Sequence, residues 1–376
     1  MHRICCFCER WESGGIESFL NNILLRMDLS HIEVDIVAAC IEKSVFTKEL
    51  KAKGVRFIEL SGKLRSIENY RLFRKLLRER KYDVAHFNLY QGLALYYVWV
   101  AKQLKVPMRI AHSHNTALRR SIAQQLKLYV HHMTKEIFSG CATDLWACSE
   151  KAAAFLFSSR ALRRHQCHII PNGIVTERFQ FNPVGREYVR RELWVQNYTV
   201  IGNVGRLCYQ KNQSFLLDVL CHLRESGDQY RLLLVGEGED APVLRAKAEK
   251  LGISDAVLFL GVSQNVEHLY WAMDIFAFPS LFEGLGIVAV EAQAASLPVI
   301  CSEHIPSEAY LTPLMKKVSL EAGAAGWAKA IRQLTESVGY GETRAEGHCH
   351  QIVRDAGYDV QDVTLLIQEY YCGGSE

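Results

Sequence analysis

Residues 274–302 have the sequence DIFAFPSLFEGLGIVAVEAQAASLPVICS, and this stretch sets the fold class. Short apolar runs at 274–280 and 298–302 are typical of buried strands. Between them a glycine-containing turn precedes a helix pattern that starts at about Ile287. Strands that alternate with helices along the chain form a parallel sheet covered by helices. The stretch therefore predicts an α/β protein with a doubly wound sheet.

The same alternation runs through the whole chain and falls into two sets. Helix patterns occupy 66–81 and 118–138 of the first half, and its strand patterns lie at 3–8, 33–40, 55–60, 84–88, 109–113, 145–149 and 167–173. The alternation restarts in the second half, with strand patterns at 198–207, 231–238, 256–261, 274–280 and 298–302. A chain of 376 residues also suits two domains better than one.

The predicted domains are both Rossmann-like and are joined by a short connection. We expect an N-terminal domain at 1–172, a linker at 173–195 and a C-terminal domain at 196–357. The linker prediction rests on 171–187, which has two Pro, two Gly and no clear period. A helix pattern at 358–371 is expected to pack back on the first domain. Two such domains are expected to face each other across a ligand-binding cleft.

The charge of the chain is distributed unevenly. Residues 1–170 contain 27 Lys and Arg against 15 Asp and Glu, a net charge of +12, while the remaining residues carry −9. Such a split is typical of a protein whose one half meets an anionic partner, although a dispersed solvated surface gives the same count. An anionic membrane surface is the partner we expect, and no nucleic acid.

The twelve cysteines and the apolar runs favour a cytoplasmic protein. No C-x2-C pair is matched by a second Cys or His pair at zinc spacing, and most cysteines stand singly in hydrophobic runs. The longest apolar run, 92–101, is about half of a membrane span. We therefore expect reduced thiols and, at most, peripheral attachment to the inner face of the cell membrane.

Two carboxylates, Glu283 and Glu291, stand in an otherwise apolar and small-residue part of the opening stretch. A buried carboxylate is costly unless it is paired or hydrogen-bonded. Glu283 precedes the predicted helix, and Glu291 lies about one turn inside it. The two acids are therefore expected to accept hydrogen bonds from two points of an extended ligand that bears hydroxyl groups. A pair of salt-bridged carboxylates remains the alternative.

Two glycine turns and a pair of cations could hold an anion. Gly14 and Gly15 follow the first strand and precede a helix, where backbone amides favour an anion. The sequence around them is not G-x-G-x-x-G, so a dinucleotide-binding dehydrogenase is disfavoured. Arg206 and Lys211 follow the first strand of the second domain and could clamp a diphosphate. A tight turn and a solvated loop are the alternative interpretations.

The motifs GRL (205–207), QKN (210–212), LLLVGEGE (232–239), VLFLG (257–261), MDIFAFPSLFEGLG (273–286) and VEAQAASLPVI (290–300) strongly resemble the retaining glycosyltransferases of family 4, which have the GT-B fold. GGIES (14–18), AHSHN (111–115) and IIPNGI (169–174) are similar to the first domain of that family and its boundary. The resemblance covers nearly the whole chain, and it implies that 1–172 is the acceptor-side domain and 196–357 the nucleotide-sugar-binding domain. RIAHSHN (109–115) and FEGLGIVAVEAQAASLP (282–298) look like members that build capsular and exopolysaccharides.

The resemblance implies a role for individual residues. Glu283 matches the acid that contacts hydroxyls of the donor sugar, and Glu291 the acid that holds the ribose diol. Arg206 and Lys211 match the basic pair on the diphosphate. His114 fits the histidine near the transferred sugar, with His112 as the rival. The implied catalytic set is Glu283, His114, Arg206 and Lys211, and the implied donor-binding set is Gly14, Gly15, Arg206, Lys211, Glu237, Gly261, Val262, Glu283, Gly284, Leu285, Gly286, Ile287 and Glu291.

The resemblance implies an enzyme that moves a hexose or N-acetylhexosamine from a UDP-sugar to a growing saccharide, with retention of configuration. The acceptor is expected to be lipid-diphosphate-linked, in capsular or exopolysaccharide biosynthesis. A metal and a cofactor are not expected, because the basic pair can neutralise the diphosphate and the sequence lacks a D-x-D motif. A non-catalytic nucleotide-sugar-binding partner and a GT-B-fold epimerase are the alternatives.

Overall fold

The computed structural model describes residues 1–12, 14–42, 44–64, 66–118, 125–225, 227, 229–336, 344 and 347–373. The chain divides into two compact units, of which the first comprises Met1–Ile174 with Val360–Glu376 and the second comprises Val175–Asp359. The two predicted sets of strands thus fall into separate units. Each unit is built on one parallel sheet.

The sheet of the first unit has the strand order β3-β2-β1-β4-β5-β6-β7. Every pair of neighbouring strands in it is parallel. The strands are β1 (His2–Trp11), β2 (Ile32–Ile41), β3 (Arg56–Glu59), β4 (Val84–Leu89), β5 (Met108–Ser113), β6 (Asp144–Ala147) and β7 (Cys167–Ile169). The helices are α1 (Gly15–Leu24), α2 (Thr47–Ala52), α3 (Ile67–Arg80), α4 (Leu95–Gln103), α5 (Gln125–Phe138), α6 (Glu150–Leu156) and α7 (Ser159–Arg164).

The sheet of the second unit has the strand order β10-β9-β8-β11-β12-β13, also with parallel neighbours. The strands are β8 (Thr199–Val204), β9 (Tyr230–Val235), β10 (Val257–Gly261), β11 (Ile275–Phe278), β12 (Val299–Cys301) and β13 (Met315–Lys317). The helices are α8 (Pro183–Glu192), α9 (Gln213–Arg224), α10 (Ala241–Lys250), α11 (Val266–Ala272), α12 (Ile287–Ala294), α13 (Gly323–Thr335) and α14 (Cys349–Val353).

The prediction of an α/β protein with two doubly wound sheets is confirmed. Central strands such as β1 and β11 are buried along most of their length, because helices cover both faces of a parallel sheet. The short strand β13 was not predicted, since a three-residue strand with two exposed lysines carries no strand pattern. The helix predicted at 118–138 is described as α5, and its residues 119–124 lie outside the described part of the chain.

The segment predicted as a linker at 173–195 contains α8, which belongs to the second unit. The start of α8 has a signal that hydrophobic periodicity alone does not show. The Asn182 side chain accepts a hydrogen bond from the Gly185 amide, and Pro183 is the first helical residue. Arg186 and Arg190 of α8 both form ion pairs with Asp274, at 2.5 and 3.0 Å. These contacts fix the helix to the second sheet.

The C-terminal helix α15 (Val360–Tyr371) is part of the first unit. Tyr371 is buried there, and its hydroxyl lies 2.6 Å from Nδ1 of His86 on β4. The amide of Asp28 donates to the side-chain oxygen of Gln368 on the same helix. The first unit is therefore formed by two segments of the chain, and the second unit by the segment between them.

All twelve cysteines are free thiols. Within the described part of the chain, no cluster of three or more His, Cys, Asp or Glu side chains is arranged to hold a metal ion. The described helices include none that is long and apolar enough to cross a membrane.

Candidate active site

The turn before α12 places a helix N-terminus at the carboxyl end of β11. Gly286 has a φ of 88°, in the left-handed region, and a Cβ atom there would lie 2.9 Å from Cε1 of Phe278. Glycine is therefore required at this position. The preceding Gly284 and Leu285 are buried, and the helix begins at Ile287 as predicted. The first amides of α12 have no acceptor within the helix and so favour an anion.

Glu283 is buried immediately before this turn, with 5% of the residue exposed. Its Oε1 lies 2.8 Å from Nζ of Lys211, whose side chain is 15% exposed. The side-chain amide of Gln210 donates to the second carboxylate oxygen at 3.4 Å and to the Phe282 carbonyl at 2.9 Å. A buried carboxylate is stable only with such partners. The ion pair that the sequence left as an alternative is thus present at Glu283.

The backbone after β8 explains why Lys211 reaches this acid. Residues Tyr209–Lys211 form a short 3₁₀ turn, and Asn212 adopts a left-handed conformation with a φ of 55°. The Leu281 amide donates to the Gln210 carbonyl at 2.8 Å, and the Asn212 side chain donates to the Pro279 carbonyl at 3.2 Å. These bonds join the loop after β8 to the loop after β11. Neighbouring strands of the sheet therefore deliver the lysine and the acid to one place.

Glu291 is the fifth residue of α12 and has a different environment. The buried Tyr270 hydroxyl donates to its Oε2 at 2.8 Å. Burial raises the pKa of Glu291 to about 7, although the Tyr270 hydrogen bond and the nearby cations Arg178 and Lys211 lower it. The carboxylate of Glu267 raises it further. Lys211 therefore acts on both acids of the opening stretch.

Arg206 and Lys211 lie on the same loop but contact different acids. The Arg206 side chain is 51% exposed, and its Nε lies 3.1 Å from Oε2 of Glu239. Lys211 is enclosed and paired with Glu283. The exposed guanidinium can rearrange at little cost, because an exposed ion pair contributes only about 0–1 kcal/mol.

Three glycines bring the loops after β8, β9 and β10 together. A Cβ atom on Gly236 would lie 2.2 Å from the carbonyl oxygen of Gly205, so the two backbones touch. The Gly236 amide donates to the Gly261 carbonyl at 2.7 Å. Glu237 and Val262, which follow these glycines, are exposed at the same end of the sheet. The predicted donor-binding residues of these loops therefore lie at the carboxyl ends of adjacent strands.

In the first unit, the two glycines after β1 differ in what surrounds them. A Cβ atom on Gly14 would lie 2.7 Å from Oε2 of Glu17, whereas one on Gly15 would meet nothing within 4 Å. Glu17 is buried in the first turn of α1, and burial raises its pKa to about 7. A Cβ atom at position 14 would therefore displace the end of the Glu17 side chain, whereas position 15 has room for one.

The two candidate histidines lie at the end of β5, with Ser113 between them and His114 just after the strand. Nε2 of His114 lies 3.0 Å from the side-chain oxygen of Asn88, and its ring centre lies 3.9 Å from that of His112. His112 is buried within the strand, with its Nδ1 3.1 Å from Nε2 of His86. Burial lowers the pKa of His114 to about 3 and that of His112 as well. Both rings are therefore neutral near pH 7.

Four side chains of these sites were not predicted from the sequence: Tyr270, Gln210, Glu17 and His86. Tyr270 stands on α11 and reaches Glu291 across more than twenty residues of sequence, so no local pattern reveals it. Glu17 carried a signal, since an acid in the first helical turn beside two glycines often accepts backbone hydrogen bonds. The pairing of His86 with His112 follows from β4 lying beside β5 in the sheet.

The fold defines the class of protein. The crystal structure of Anabaena HepE in complex with UDP and glucose is similar to this chain, with a TM-score of 0.77 and 21% identity, over 99% of this chain and 100% of that one. At this identity the likeness shows the fold alone. The chain is an α/β protein with the GT-B fold.

Two family models match successive parts of the chain. The model of glycosyltransferase family 4 matches residues 13–178, and that of glycosyl transferases group 1 matches residues 186–346. The chain therefore belongs to the group 1/family 4 glycosyltransferases, as the motifs indicated. EpsF of Bacillus subtilis (strain 168), named as a glycosyltransferase, is 29% identical over 365 residues, which are 95% of this chain and 93% of that protein.

A second relative is named by its reaction. The UDP-Gal:alpha-D-GlcNAc-diphosphoundecaprenol alpha-1,3-galactosyltransferase of Escherichia coli is 26% identical over 234 residues, which are 61% of this chain and 59% of that protein.

Proposed function

We propose that this glycosyltransferase moves a hexose or N-acetylhexosamine from a UDP-sugar to a saccharide carried on a lipid diphosphate, with retention of configuration. The reaction would serve capsular or exopolysaccharide biosynthesis. One observation carries the proposal: Lys211 is bonded to Glu283 and acts electrostatically on Glu291, beside the N-terminus of α12. This arrangement supplies, within one unit, hydrogen-bond acceptors for hydroxyl groups and hydrogen-bond donors for a phosphate.

In the proposed donor complex, each acid has one task. Glu291 accepts hydrogen bonds from the ribose diol, and Glu283 accepts them from hydroxyls of the sugar. Carboxylates suit this role because they have only acceptor oxygens when ionised. The Tyr270 hydroxyl holds one oxygen of Glu291 and so orients the group. The base lies against the backbone at Gly261 and Val262, with Glu237 beside it.

The diphosphate is the group on which catalysis acts. Lys211, Arg206 and the amides of Gly286 and Ile287 are proposed to contact it. When the bond between the anomeric carbon and the phosphate oxygen breaks, negative charge builds on the departing UDP, and fixed donors stabilise that charge. The oxygen of the acceptor hydroxyl then bonds to the anomeric carbon on the face that UDP leaves, and its proton passes to the departing phosphate oxygen. Gly15 is proposed to give a further amide to the phosphate, and neutral His114 to contact the transferred sugar.

Relatives support the choice of donor and acceptor. The Escherichia coli relative has UDP-Gal as donor and GlcNAc-diphosphoundecaprenol as acceptor by its name, and the similar HepE structure holds UDP and glucose. The positive charge of the first 170 residues agrees with an acceptor that is held at an anionic membrane.

A screen of nucleotide-sugars tests the proposal. UDP-glucose, UDP-galactose, UDP-GlcNAc and GDP-mannose would be incubated with GlcNAc-diphosphoundecaprenol, and free nucleotide and glycolipid product would be measured. We expect one UDP-sugar to be consumed, with activity unchanged in EDTA because Lys211 and Arg206 neutralise the diphosphate. Loss of activity in EDTA with recovery in manganese would overturn metal independence. Binding without release of nucleotide would favour a non-catalytic partner, and conversion of the sugar without transfer an epimerase.

The raised pKa of Glu291 predicts a pH dependence of nucleotide binding. Below pH 7 the side chain is mostly protonated and accepts hydrogen bonds poorly, so UDP should bind up to about tenfold more tightly at pH 8 than at pH 6. Titration calorimetry at the two pH values would measure this ratio. Glu291→Gln should bind UDP weakly and with little pH dependence. An equal pH dependence in the variant would show that another group titrates.

Helix α3 is the proposed membrane-facing element, because it carries five cations in fourteen residues. Phe73 and Leu77 are buried, so the apolar face of α3 packs on its own sheet. Arg80 is bonded to Glu33 at 3.0 Å and to the buried Asp35 at 3.2 Å. Reversing the charge of Arg80 would place three acids together and disturb the fold. The remaining cations of the helix are exposed.

The membrane prediction therefore concerns Arg74, Lys75 and Arg78. Their joint replacement by Glu should reduce binding to vesicles containing anionic lipid, since each cation contributes on the order of 1 kcal/mol near such a surface. Vesicle sedimentation at low and high salt would measure it, and the binding should fade as salt rises. The replacement of Arg160, Arg163 and Arg164 by Glu is the matched control. If the protein ignores anionic vesicles at low salt, the charge split is only a solvated surface.

A further inference from the structure

A cavity of about 430 Å³ lies between α3, α4 and α5 in the first unit. Its walls are mainly apolar and aromatic, and its volume falls in the range of small-molecule sites, roughly 300–1,000 Å³. The lining residues include Tyr70, Arg71, Arg74, Tyr96, Trp99 and Phe138. None of them belongs to the proposed donor site.

Four aromatic rings form the wall of this cavity. The ring centres of Tyr70 and Tyr96 lie 4.3 Å apart, and those of Tyr96 and Trp99 lie 5.1 Å apart. The ring of Phe138 meets Tyr96 edge-on at 5.8 Å. All four side chains are only half-buried, so apolar surface faces the cavity. Leaving such surface in water costs about 25 cal/mol per Å², which an apolar ligand would recover.

Two arginines stand at the cavity on α3. Arg71 and Arg74 are exposed, and no ion pair joins either guanidinium to a carboxylate among the residues that the structure describes. Two other cations of this helix have acidic partners: Lys75 pairs with Glu79 at 3.8 Å, and Arg80 pairs with Asp35 at 3.2 Å. A guanidinium binds phosphate through two parallel hydrogen bonds. The cavity therefore offers an apolar interior and cations that suit a phosphate.

Helix α5 adds exposed apolar surface to the same unit. Leu126, Tyr129, Met133 and Ile137 follow a spacing of three or four residues and are all exposed, so they share one helix face. A soluble surface helix normally turns such a face inward. Its exposure on the helix that also supplies Phe138 agrees with a first unit that meets lipid.

We propose that the cavity binds the hydrocarbon chain of a phosphate-bearing lipid, with Arg71 and Arg74 on the phosphate. The inference rests on the proposed function, because such a lipid is the proposed carrier of the acceptor saccharide. A saccharide is a poorer occupant, since the polar groups of the lining are few: the two arginines, the tyrosine hydroxyls, the Trp99 indole N–H and the Gln103 amide. The negative charge of the phosphate complements the two guanidinium groups.

The test uses the fluorescence of Trp99 and soluble alkyl phosphates. Hexyl, octyl and decyl phosphate, each kept below its micelle concentration, would be titrated into the full chain, with inorganic phosphate and decanol as partial probes. We expect a saturable change in emission that Trp99→Phe removes. Affinity should rise roughly tenfold for each two added methylenes, because the chain is buried. Inorganic phosphate alone should give no saturable change at the same concentrations.

Variants separate the two halves of the site. The double variant Arg71→Gln/Arg74→Gln should bind decyl phosphate at least about tenfold more weakly and decanol as before, and Arg163→Gln is the matched control on α7. Affinities independent of chain length, no saturable change, or an equal loss in the control would overturn the proposal. A change with a neutral oligosaccharide but not with alkyl phosphates would assign a saccharide subsite instead.

The outcome is independent of the donor site. UDP binding would be measured in the same variants and should be unchanged, since none of the altered residues belongs to the proposed donor site. Failure of the alkyl phosphates with intact UDP binding overturns only the lipid cavity. Failure of UDP to bind the unaltered protein would instead contradict the proposed function.

Discussion

Replacement of Glu283 by alanine should reduce kcat/KM about 10- to 150-fold while UDP still binds. Replacement of Glu291 by alanine should instead weaken UDP binding by a similar factor. Losing a hydrogen-bonded carboxylate in a closed site costs roughly 1.5–3 kcal/mol, which gives these factors. The split follows from the proposed contacts, since Glu283 meets the sugar and Glu291 meets the ribose. Steady-state kinetics and calorimetry with UDP would measure the two effects.

The ion pair between Glu283 and Lys211 calls for two control variants. Removing the acid leaves an enclosed ammonium group without its partner, so part of any loss could come from instability. Glu283→Gln keeps a polar group of the same size, and it should retain the fold but not the full turnover. Glu249→Ala removes an exposed carboxylate of the same unit and should change nothing. Wild-type activity in folded Glu283→Ala and Glu291→Ala would show that the site assignment is wrong.

Replacement of Asp274 by alanine should destabilise the second unit by roughly 3–5 kcal/mol, because it leaves two arginines beside the sheet without their acidic partner. The Asp274 side chain is 15% exposed and pairs with Arg186 and Arg190 of α8. It also accepts a hydrogen bond from the Val200 amide at 2.7 Å. Scanning calorimetry of the full chain would measure the shift of the transition.

A surface ion pair of the same unit provides the control. Asp255 meets Arg224 through two contacts of 3.0 and 3.1 Å, but its side chain is 57% exposed. Asp255→Ala should therefore cost only about 0–1 kcal/mol. The arginines also hold the pKa of Asp274 below its ordinary value, so its contribution is complete above that value and is lost as the pH falls. Equal losses in the two variants would contradict the role of Asp274.

Much of the fold could be predicted because local sequence patterns specify the strands and helices of such proteins. The stretch 274–302 showed both strands and the helix start at Ile287, since apolar runs and a glycine turn are local signals. Helix α8 was predicted as part of a linker. Its stability comes from Asp274, which lies more than eighty residues away. No period within the helix could reveal that partner.

Part of the candidate site could likewise be predicted from the sequence, and part could not. Glu283, Glu291, Arg206 and Lys211 stand out because charged residues are rare beside buried strands and glycine turns. Their pairings were not predictable: the sequence placed Lys211 with Arg206 on a diphosphate, whereas the structure pairs Lys211 with Glu283 and Arg206 with Glu239. The diphosphate role of both cations stays a prediction.

Hydrogen–deuterium exchange of the full chain with and without UDP tests the central claim most directly. The claim is that the second unit holds the nucleotide between the loop after β8 and the start of α12. We predict slower exchange on UDP binding in peptides that cover 205–212 and 284–294, because bound phosphate and ribose restrain both segments. Unchanged exchange in both segments, with UDP shown by calorimetry to be bound, would contradict the claim.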